Sequence, residues 1–282
     1  MTDTLVGLAA AVVAAGLFGV AAVLQAHGVR QESEPMDTLR EFVSTALRNR
    51  LILAVVAAYL AGFVLHAVSI WYLPLYLAQS AVALSLPVTA LSAARLRERL
   101  GLRDWLAVLA IVAGLVLVSI GSGAPGEGRS STTFALLLWV AVVMLVGFGF
   151  RGRALGAGSI GAVAGLGYAG SAIAVRGVAL PLDVPVAAAA AAVPVFGLLA
   201  FWLYSLALSR SAVAASSAPL VVCQTLVPAV VGIWFLGDAV RDGWVGVVAV
   251  TVGMVAAIVG AILLSRTTAG QDLVEPETAA AG

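Results

Sequence analysis

Polar side chains recur in two hydrophobic stretches of the chain, where contact with lipid alone would not require them. They are Gln79, Ser80, Ser85 and Thr89 in residues 74–94, and Ser216, Ser217, Gln224 and Thr225 in residues 212–236. Amide and hydroxyl groups bind solutes by hydrogen bonds, and at membrane depth they are tolerated where protein or water satisfies them. These side chains are therefore candidates to line a cavity. The alternative for a single serine or threonine is a hydrogen bond to its own preceding helical turn, whereas a glutamine amide is harder to satisfy in lipid.

Prolines fall in the same two stretches. Pro74 and Pro87 lie in the first, and Pro219 and Pro228 lie in the second. A proline lacks the backbone N–H and clashes with the carbonyl four residues before it. We therefore expect both stretches to present carbonyl oxygens that are open to a ligand.

Other candidates lie outside these stretches. Tyr168, Ser171 and Tyr204 are candidates for the cavity wall, although aromatic residues are more common in the core or facing lipid. His27 and Arg176 occupy matching ends of two similar segments. A cation at each mouth of the cavity would attract an anionic group or act as a gate. The alternative is that both residues lie at the membrane surface, with the Arg176 guanidinium extended to water.

The composition predicts a membrane protein. Of the 282 residues, 62% are hydrophobic and only 10% are charged, which is more apolar surface than a water-soluble domain of this length can bury. A net charge of +1 gives no basis for a nucleic-acid partner. The sequence has no paired carboxylates, nucleotide-binding loop or metal-ligand spacing, and His66 and Ser69 lack an orienting acid. We therefore expect neither an enzyme nor a cofactor, and no metal ligands are assigned.

Nine hydrophobic segments are long enough to cross a bilayer. They are residues 5–27, 51–71, 74–94, 104–121, 132–150, 154–176, 186–208, 212–236 and 244–264. Twelve arginines lie in the loops after segments one, three, five and seven and in the C-terminal tail, and three lie on the other side. Because basic residues accumulate in cytoplasmic loops, the sequence predicts an all-α protein of the plasma (inner) membrane, with its N-terminus outside and its C-terminus in the cytoplasm.

Segments one to four resemble segments six to nine. Residues 16–29 align without gaps on residues 165–178, and the sequence SAVA occurs at both 80–83 and 211–214. Segments four and nine each begin near an Arg-Asp pair and a tryptophan, with Gly114 or Gly253 nine residues after the tryptophan. Because matching segments are five apart, an odd number, the two copies have opposite orientations. We expect inverted repeats with a binding site near the midplane, where the copies meet.

The predicted organisation has four parts. Residues 1–121 form the first repeat, 122–153 a flexible external linker and the unpaired fifth segment, 154–265 the second repeat, and 266–282 a disordered cytoplasmic tail. Within the first repeat, the cytoplasmic stretch 28–50 has an amphipathic pattern after Asp37. This pattern indicates a helix on the inner membrane surface, and a solvated loop is the alternative.

Several motifs in the two copies resemble those of a known family. Ala-rich hairpins end in Leu-Gly-Asp at 236–238 or Arg-Glu-Arg at 97–99, and this pattern resembles the drug/metabolite transporter superfamily, also called DMT or EamA-like. The nine segments are most similar to the NIPA-type magnesium transporter branch, through residues 24–30, 170–177 and 203–208 and through Pro219 and Asp238. The resemblance covers most of residues 5–265 and implies transport. The chain departs from the branch because the basic run of its first segment is reduced to His27.

Two classes of function remain open. The first is a secondary transporter of a small metabolite or drug-like solute, which works by alternating access between inverted halves. A magnesium or other divalent-cation transporter is its closest alternative, although magnesium prefers carboxylate ligands and the predicted spans contain no Asp or Glu beyond Asp104, the first residue of the fourth. The second class is a non-transporting membrane scaffold. The expected partners are the lipid bilayer and the solute or cation, and the sequence is also compatible with a homodimer.

Overall fold

The computed structural model describes residues 2–31, 40–41, 49–94, 101–126, 128, 130–151, 155–210 and 213–271. Within these residues every regular element is a helix and no β-strand is present, which confirms the all-helical prediction. The helices are α1 (Thr2–Gln31), α2 (Arg50–Tyr72), α3 (Leu75–Val82), α4 (Ser85–Ala94), α5 (Leu102–Ile120), α6 (Thr132–Arg151), α7 (Ala157–Arg176), α8 (Val184–Arg210), α9 (Val213–Phe235) and α10 (Trp244–Gln271).

Six of the described helices are long and apolar enough to cross a membrane. They are α1, α2, α6, α7, α8 and α10. Three shorter apolar stretches, Leu75–Thr89, Trp105–Ile120 and Pro219–Phe235, fall at the predicted spans three, four and eight. These helices indicate a membrane-embedded protein, while the count of nine spans stays a prediction.

The third predicted span is broken into α3 and α4 at residues 83–84. Pro87 explains the position of the break, because a proline can neither donate to the carbonyl of Ala83 nor pack against it in a regular helix. The Ala83 oxygen instead accepts a bond from the backbone N–H of Leu86, at 3.1 Å. By contrast, α9 is continuous through Pro219 and Pro228. The interruption expected in both polar stretches is therefore found in the first.

Helices α5 and α10 make the most extensive helix–helix contact among the described residues. Small residues recur every seven positions along it: Ala107, Gly114 and Gly121 on one side, and Gly246, Gly253 and Gly260 on the other. A Cβ on Gly114 would lie 2.5 Å from the Gly253 oxygen, and a Cβ on Gly253 would lie 2.6 Å from the Gly114 oxygen. Only glycine allows backbones to approach this closely. Gly114 and Gly253, which the predicted repeat places at matching positions, therefore each pack against the backbone of the other.

Loops from both halves of the chain meet at one end of the bundle. The backbone N–H of Gly123 donates to the Ala239 oxygen at 3.2 Å, and the Ala239 N–H donates to the Ala124 oxygen at 3.0 Å. A third bond joins the Arg241 N–H to the Gly121 oxygen at 3.0 Å. These bonds pair the backbone of residues 121–126, at the start of the predicted linker, with the turn at 236–241, and the flexibility of the linker stays a prediction.

The helices at the other end extend beyond the predicted spans. Helix α1 continues to Gln31 and α10 to Gln271. Residues 32–39 and 42–48, which include Asp37 of the predicted surface helix, lie outside the described residues, as do 272–282 of the predicted tail. Those two predictions are therefore untested.

Candidate solute-binding cavity

A cavity of about 490 Å³ lies between helices of both predicted repeats. Its described lining comes from α1, α2, α3 and α4 of the first repeat and from α7, α8 and α9 of the second. The volume is within the range of pockets that enclose small organic molecules. Most of the described lining residues are aliphatic or aromatic, and none of them is Asp, Glu, Arg or Lys.

Most of the predicted cavity residues are brought together here. Those that line the cavity are Gln79, Ser85, Thr89, Tyr168, Ser171, Tyr204 and Gln224. Thr89 and Ser171 also donate to backbone oxygens, Thr89 to Ser85 at 2.8 Å and Ser171 to Val193 at 3.2 Å. The two glutamines therefore provide the side-chain amides of this surface.

Three of the predicted residues are buried away from the described cavity lining. The Ser80 hydroxyl donates to the Tyr76 oxygen at 2.7 Å, and the Ser216 hydroxyl donates to the Ala207 oxygen at 3.1 Å. Thr225 is also buried, with no hydrogen-bond partner for its hydroxyl in the described part of the chain. Ser80 thus follows the alternative expected for a single serine, a bond to its own preceding turn, whereas Ser216 bonds to the backbone of α8. The side chain of Ser217 lies outside the described residues.

Sequence reasoning missed the aromatic wall of the cavity. Phe18, Tyr59, Phe63 and Phe201 line it, and the rings of Phe18 and Tyr59 stack with centroids 5.9 Å apart. Tyr59 also meets Phe201 edge to face, at 5.3 Å. Aromatic residues in an apolar helix carry no sequence signal that separates a cavity wall from the core.

His66 is a further cavity residue that was considered only for catalysis. Its Nε2 lies 3.1 Å from the Gln79 Nε2, and its Nδ1 lies 3.3 Å from the Ser69 hydroxyl oxygen. That hydroxyl gives its proton to the His66 backbone oxygen, at 2.7 Å. Nδ1 must then be the ring donor, and a neutral ring accepts at Nε2 from the Gln79 amide. This assignment gives both ring nitrogens of His66 a partner.

Several polar groups of the cavity have no partner in the described part of the protein. The Tyr168 hydroxyl is buried without a hydrogen bond. The Gln224 side chain is 8% exposed, and no hydrogen bond joins it to another described residue. Gln79 is 3% exposed, and among the described residues its side chain bonds through Nε2 alone, so Oε1 is left over. Buried polar groups are normally paired, so these three side chains are suited to bind a solute.

A second polar network lies beyond the cavity, toward the end of the bundle at which α1 finishes. The Gln25 Nε2 donates to the Ser205 hydroxyl at 2.7 Å, and the Tyr59 hydroxyl donates to the Gln25 Oε1 at 2.9 Å. Gln25 is 2% exposed. This Gln25 network ties α1 and α2 of the first half of the chain to α8 of the second half.

The opposite end is closed by an ion pair between Arg176 and Asp238, here called the clasp. Arg176 also donates to the backbone oxygens of Ile70 and Leu73. The Asp238 carboxylate accepts from the N–H of Leu75, the first residue of α3, at 2.6 Å, and from the N–H of Gly126 at 2.8 Å. The clasp therefore joins both halves of the chain and the loop between them.

The clasp corrects two predictions for Arg176, a free charge that attracts an anion and a guanidinium extended to water, while its role as a gate stays a prediction. Its side chain is 3% exposed and paired with a buried carboxylate, so it neither reaches water nor offers a free charge to an anion. The physical reason is that Asp238, although it follows a predicted span, is folded back against Gly232 of α9. The matching side chain, His27, lies outside the described residues.

The cavity also reaches the side of the bundle. Leu60 on α2 and Leu198 on α8 both line it, and they are 61% and 44% exposed. An opening between these two helices would be bordered by apolar side chains. A solute that dissolves in an apolar phase could therefore enter the cavity from this side.

No family model, no curated protein and no solved structure matches the chain. Interpretation of the cavity therefore depends on its own geometry and chemistry, and the resemblance to the drug/metabolite transporters stays an expectation.

Proposed function

We propose that this chain is a secondary membrane transporter that moves a small, uncharged, largely apolar solute by alternating access. The observation that carries this proposal is the cavity of about 490 Å³, which is lined from both halves by aromatic residues and neutral amides. A charged solute would lose its hydration there without meeting an opposite charge among the described lining residues. An apolar solute with a few polar atoms matches the surface.

The α5–α10 contact supports the proposed inverted repeat. Ala107 packs against Gly260, Gly114 against Gly253 and Gly121 against Gly246. Each pair joins a residue of one copy to a residue of the other, and the order reverses about Gly114 and Gly253. Such a reversal is expected at a two-fold axis between inverted copies. Together with the motifs at 97–99 and 236–238, it favours the nine-span drug/metabolite transporter architecture.

The clasp and the Gln25 network supply the two barriers that alternating access needs. They lie on opposite sides of the cavity along the helices, and each joins the first half to the second. Opening the clasp end requires Arg176 to leave Ile70 and Leu73, while the Gln25 network keeps the other end shut. We propose that the second state breaks the Gln25 network and keeps the clasp.

The apolar border between α2 and α8 fits the same class of solute. In a bilayer this side of the bundle would face lipid, where an apolar solute concentrates. Nothing in the described lining favours the magnesium alternative, because magnesium prefers carboxylate oxygens and the polar lining consists of hydroxyls, amides and one imidazole.

The orientation can be tested with single cysteines. Cys223 is the only cysteine, so Cys223→Ala gives a background for Arg97→Cys and Asp242→Cys. With the N-terminus outside, an impermeant thiol reagent added to intact cells labels position 242 and reaches position 97 only after the membrane is permeabilised. Labelling of position 97 in intact cells would overturn the proposed topology.

Transport can be tested by flux into proteoliposomes. The expected result is protein-dependent movement of an uncharged aromatic solute that is lost in the Gln79→Leu/Gln224→Leu double variant. Ser80→Ala is the matched control, since Ser80 follows Gln79 on α3 but bonds its own helix. Flux that persists in the double variant would reject this site. If no uncharged solute moves but a magnesium-sensitive dye inside responds, the cation alternative takes its place. If neither the uncharged solute nor magnesium moves, the scaffold alternative takes the place of the transporter proposal.

A further inference from the structure

Three polar side chains, each with a hydrogen-bonding group that is unbonded in the described part of the chain, come together in the cavity from both halves. Gln79 belongs to α3 of the first repeat, and Tyr168 and Gln224 belong to α7 and α9 of the second. The Gln224 amide and the Tyr168 hydroxyl can each donate and accept, and neither is bonded to another described residue. Leaving such groups buried without partners is costly. A solute that pairs with them recovers this cost.

The contact with His66 determines which atom of Gln79 is left for the solute. Ser69 takes up the Nδ1 side of the ring, so the neutral ring accepts from the Gln79 Nε2. This holds the amide in one of its two orientations and leaves Oε1, an acceptor, without a partner. His66 is therefore a positioning residue for Gln79.

We propose that the cavity selects a neutral solute that carries both an N–H donor and a carbonyl acceptor, that is, a carboxamide on an apolar aromatic body. The solute N–H would donate to the Gln79 Oε1, and its carbonyl would accept from the Gln224 Nε2 or the Tyr168 hydroxyl. The aromatic body would pack against Phe18, Tyr59 and Phe201. This inference names the substrate class of the transporter proposed above and rests on that proposal.

Three isosteric probes separate the two hydrogen bonds. N-phenylbenzamide has the donor and the acceptor, phenyl benzoate has the acceptor alone, and trans-stilbene has neither. Binding to the purified full-length protein is measured by calorimetry in detergent, with partition of each probe into empty micelles subtracted. The expected order of affinity is amide, ester, stilbene, with about ten-fold between neighbours, because each missing group leaves a buried partner unpaired.

The variants assign each step of this order to a residue. Gln79→Leu should abolish the preference for the amide over the ester and keep the preference for the ester over stilbene. Gln224→Leu, best combined with Tyr168→Phe, should keep the preference for the amide over the ester and abolish the preference for the ester over stilbene. His66→Phe should act like Gln79→Leu, a selective effect that a purely structural role for His66 would not produce. Ser80→Ala should leave the order unchanged.

The results also distinguish this inference from the proposed transport. Equal affinity of the wild-type protein for all three probes, or binding of none, overturns the carboxamide inference. The inference is also overturned if the Gln79→Leu protein and the Gln224→Leu protein both still prefer the amide over the ester. Amide-selective binding without flux of the amide in proteoliposomes leaves the inference in place and rejects the transporter proposal.

Discussion

The clasp and the cavity contain polar side chains that are buried to a similar degree. Those of the clasp are hydrogen-bonded within the protein, whereas several of those in the cavity are not. Both Asp238 oxygens and both terminal nitrogens of Arg176 are engaged, four of these bonds crossing to Ile70, Leu73, Leu75 and Gly126. In the cavity, the Gln224 amide and the Tyr168 hydroxyl bond to no described residue. Burial alone therefore does not separate structural polar groups from functional ones. The unbonded groups of the cavity belong to residues that line a space for a solute, whereas the Arg176 Nε and the Thr225 hydroxyl, which also lack partners among the described residues, lie outside that lining.

The largest expected effect comes from breaking the clasp. Arg176→Met leaves the Asp238 carboxylate buried without its counter-charge, which should cost about 3–5 kcal/mol of unfolding free energy. Arg241→Met is the control, since Arg241 is exposed at the same end, and it should change stability by less than about 0.5 kcal/mol. Denaturant unfolding in mixed micelles measures both. Equal stability of Arg176→Met and the wild type would show that the clasp does not stabilise this state.

The same substitution at two glutamines compares a bonded amide with an unbonded one. Gln25→Leu removes the acceptor of the Tyr59 hydroxyl and one bond of the Ser205 hydroxyl, which still donates to the Phe201 oxygen. It should cost about 1–3 kcal/mol for the tyrosine hydroxyl left unsatisfied. Gln224→Leu removes no bond to a described residue and should be neutral or stabilising. The unfolding measurement above distinguishes them. A loss at Gln224 as large as that at Gln25 would contradict the assignment of Gln224 to a solute.

Substitution of one glycine at the clasp and one at the cavity compares how tightly the two regions are packed. A Cβ on Gly232 would lie 2.5 Å from the Asp238 Oδ2, so Gly232→Ala should displace the carboxylate and cost about 1–3 kcal/mol. Gly197 lines the cavity, and a Cβ there would meet nothing within 4 Å. Gly197→Ala should therefore stabilise α8 by about 0.5–1 kcal/mol. The reverse order in thermal unfolding would contradict the described packing.

The smallest effects are expected at two tyrosine hydroxyls. The Tyr76 hydroxyl, beside the clasp, donates to the Ala239 oxygen at 2.9 Å and accepts from the Gly123 N–H at 3.2 Å. Tyr76→Phe should therefore cost about 1 kcal/mol. The Tyr168 hydroxyl has no partner in the described protein, so Tyr168→Phe should not destabilise the fold. Solute affinity should respond in the opposite way, with a loss at Tyr168 and none at Tyr76.

Local sequence was sufficient for the helices and for part of the cavity. Long apolar runs predict helices, and Gln79 and Gln224 could be identified because a buried amide requires a partner. Ser80 could not be separated from Gln79 by type, and the structure excludes it because adjacent residues point about 100° apart on a helix. The clasp was not predicted, since Arg176 and Asp238 are 62 residues apart and no periodicity joins them. The aromatic wall was missed because its residues are equally suited to a core.

The bond between Leu75 and Asp238 has a consequence for biosynthesis. Asp238 caps the first residue of α3 across 163 residues of sequence. At about 5–20 residues per second, the ribosome needs roughly 8–30 s to make the intervening chain. During that time the start of α3 has no carboxylate to accept its N–H, and Arg176 emerges before its counter-charge does. The cap on α3 and the ion pair of the clasp can therefore form only after residue 238 has been made, late in the synthesis of the 282-residue chain.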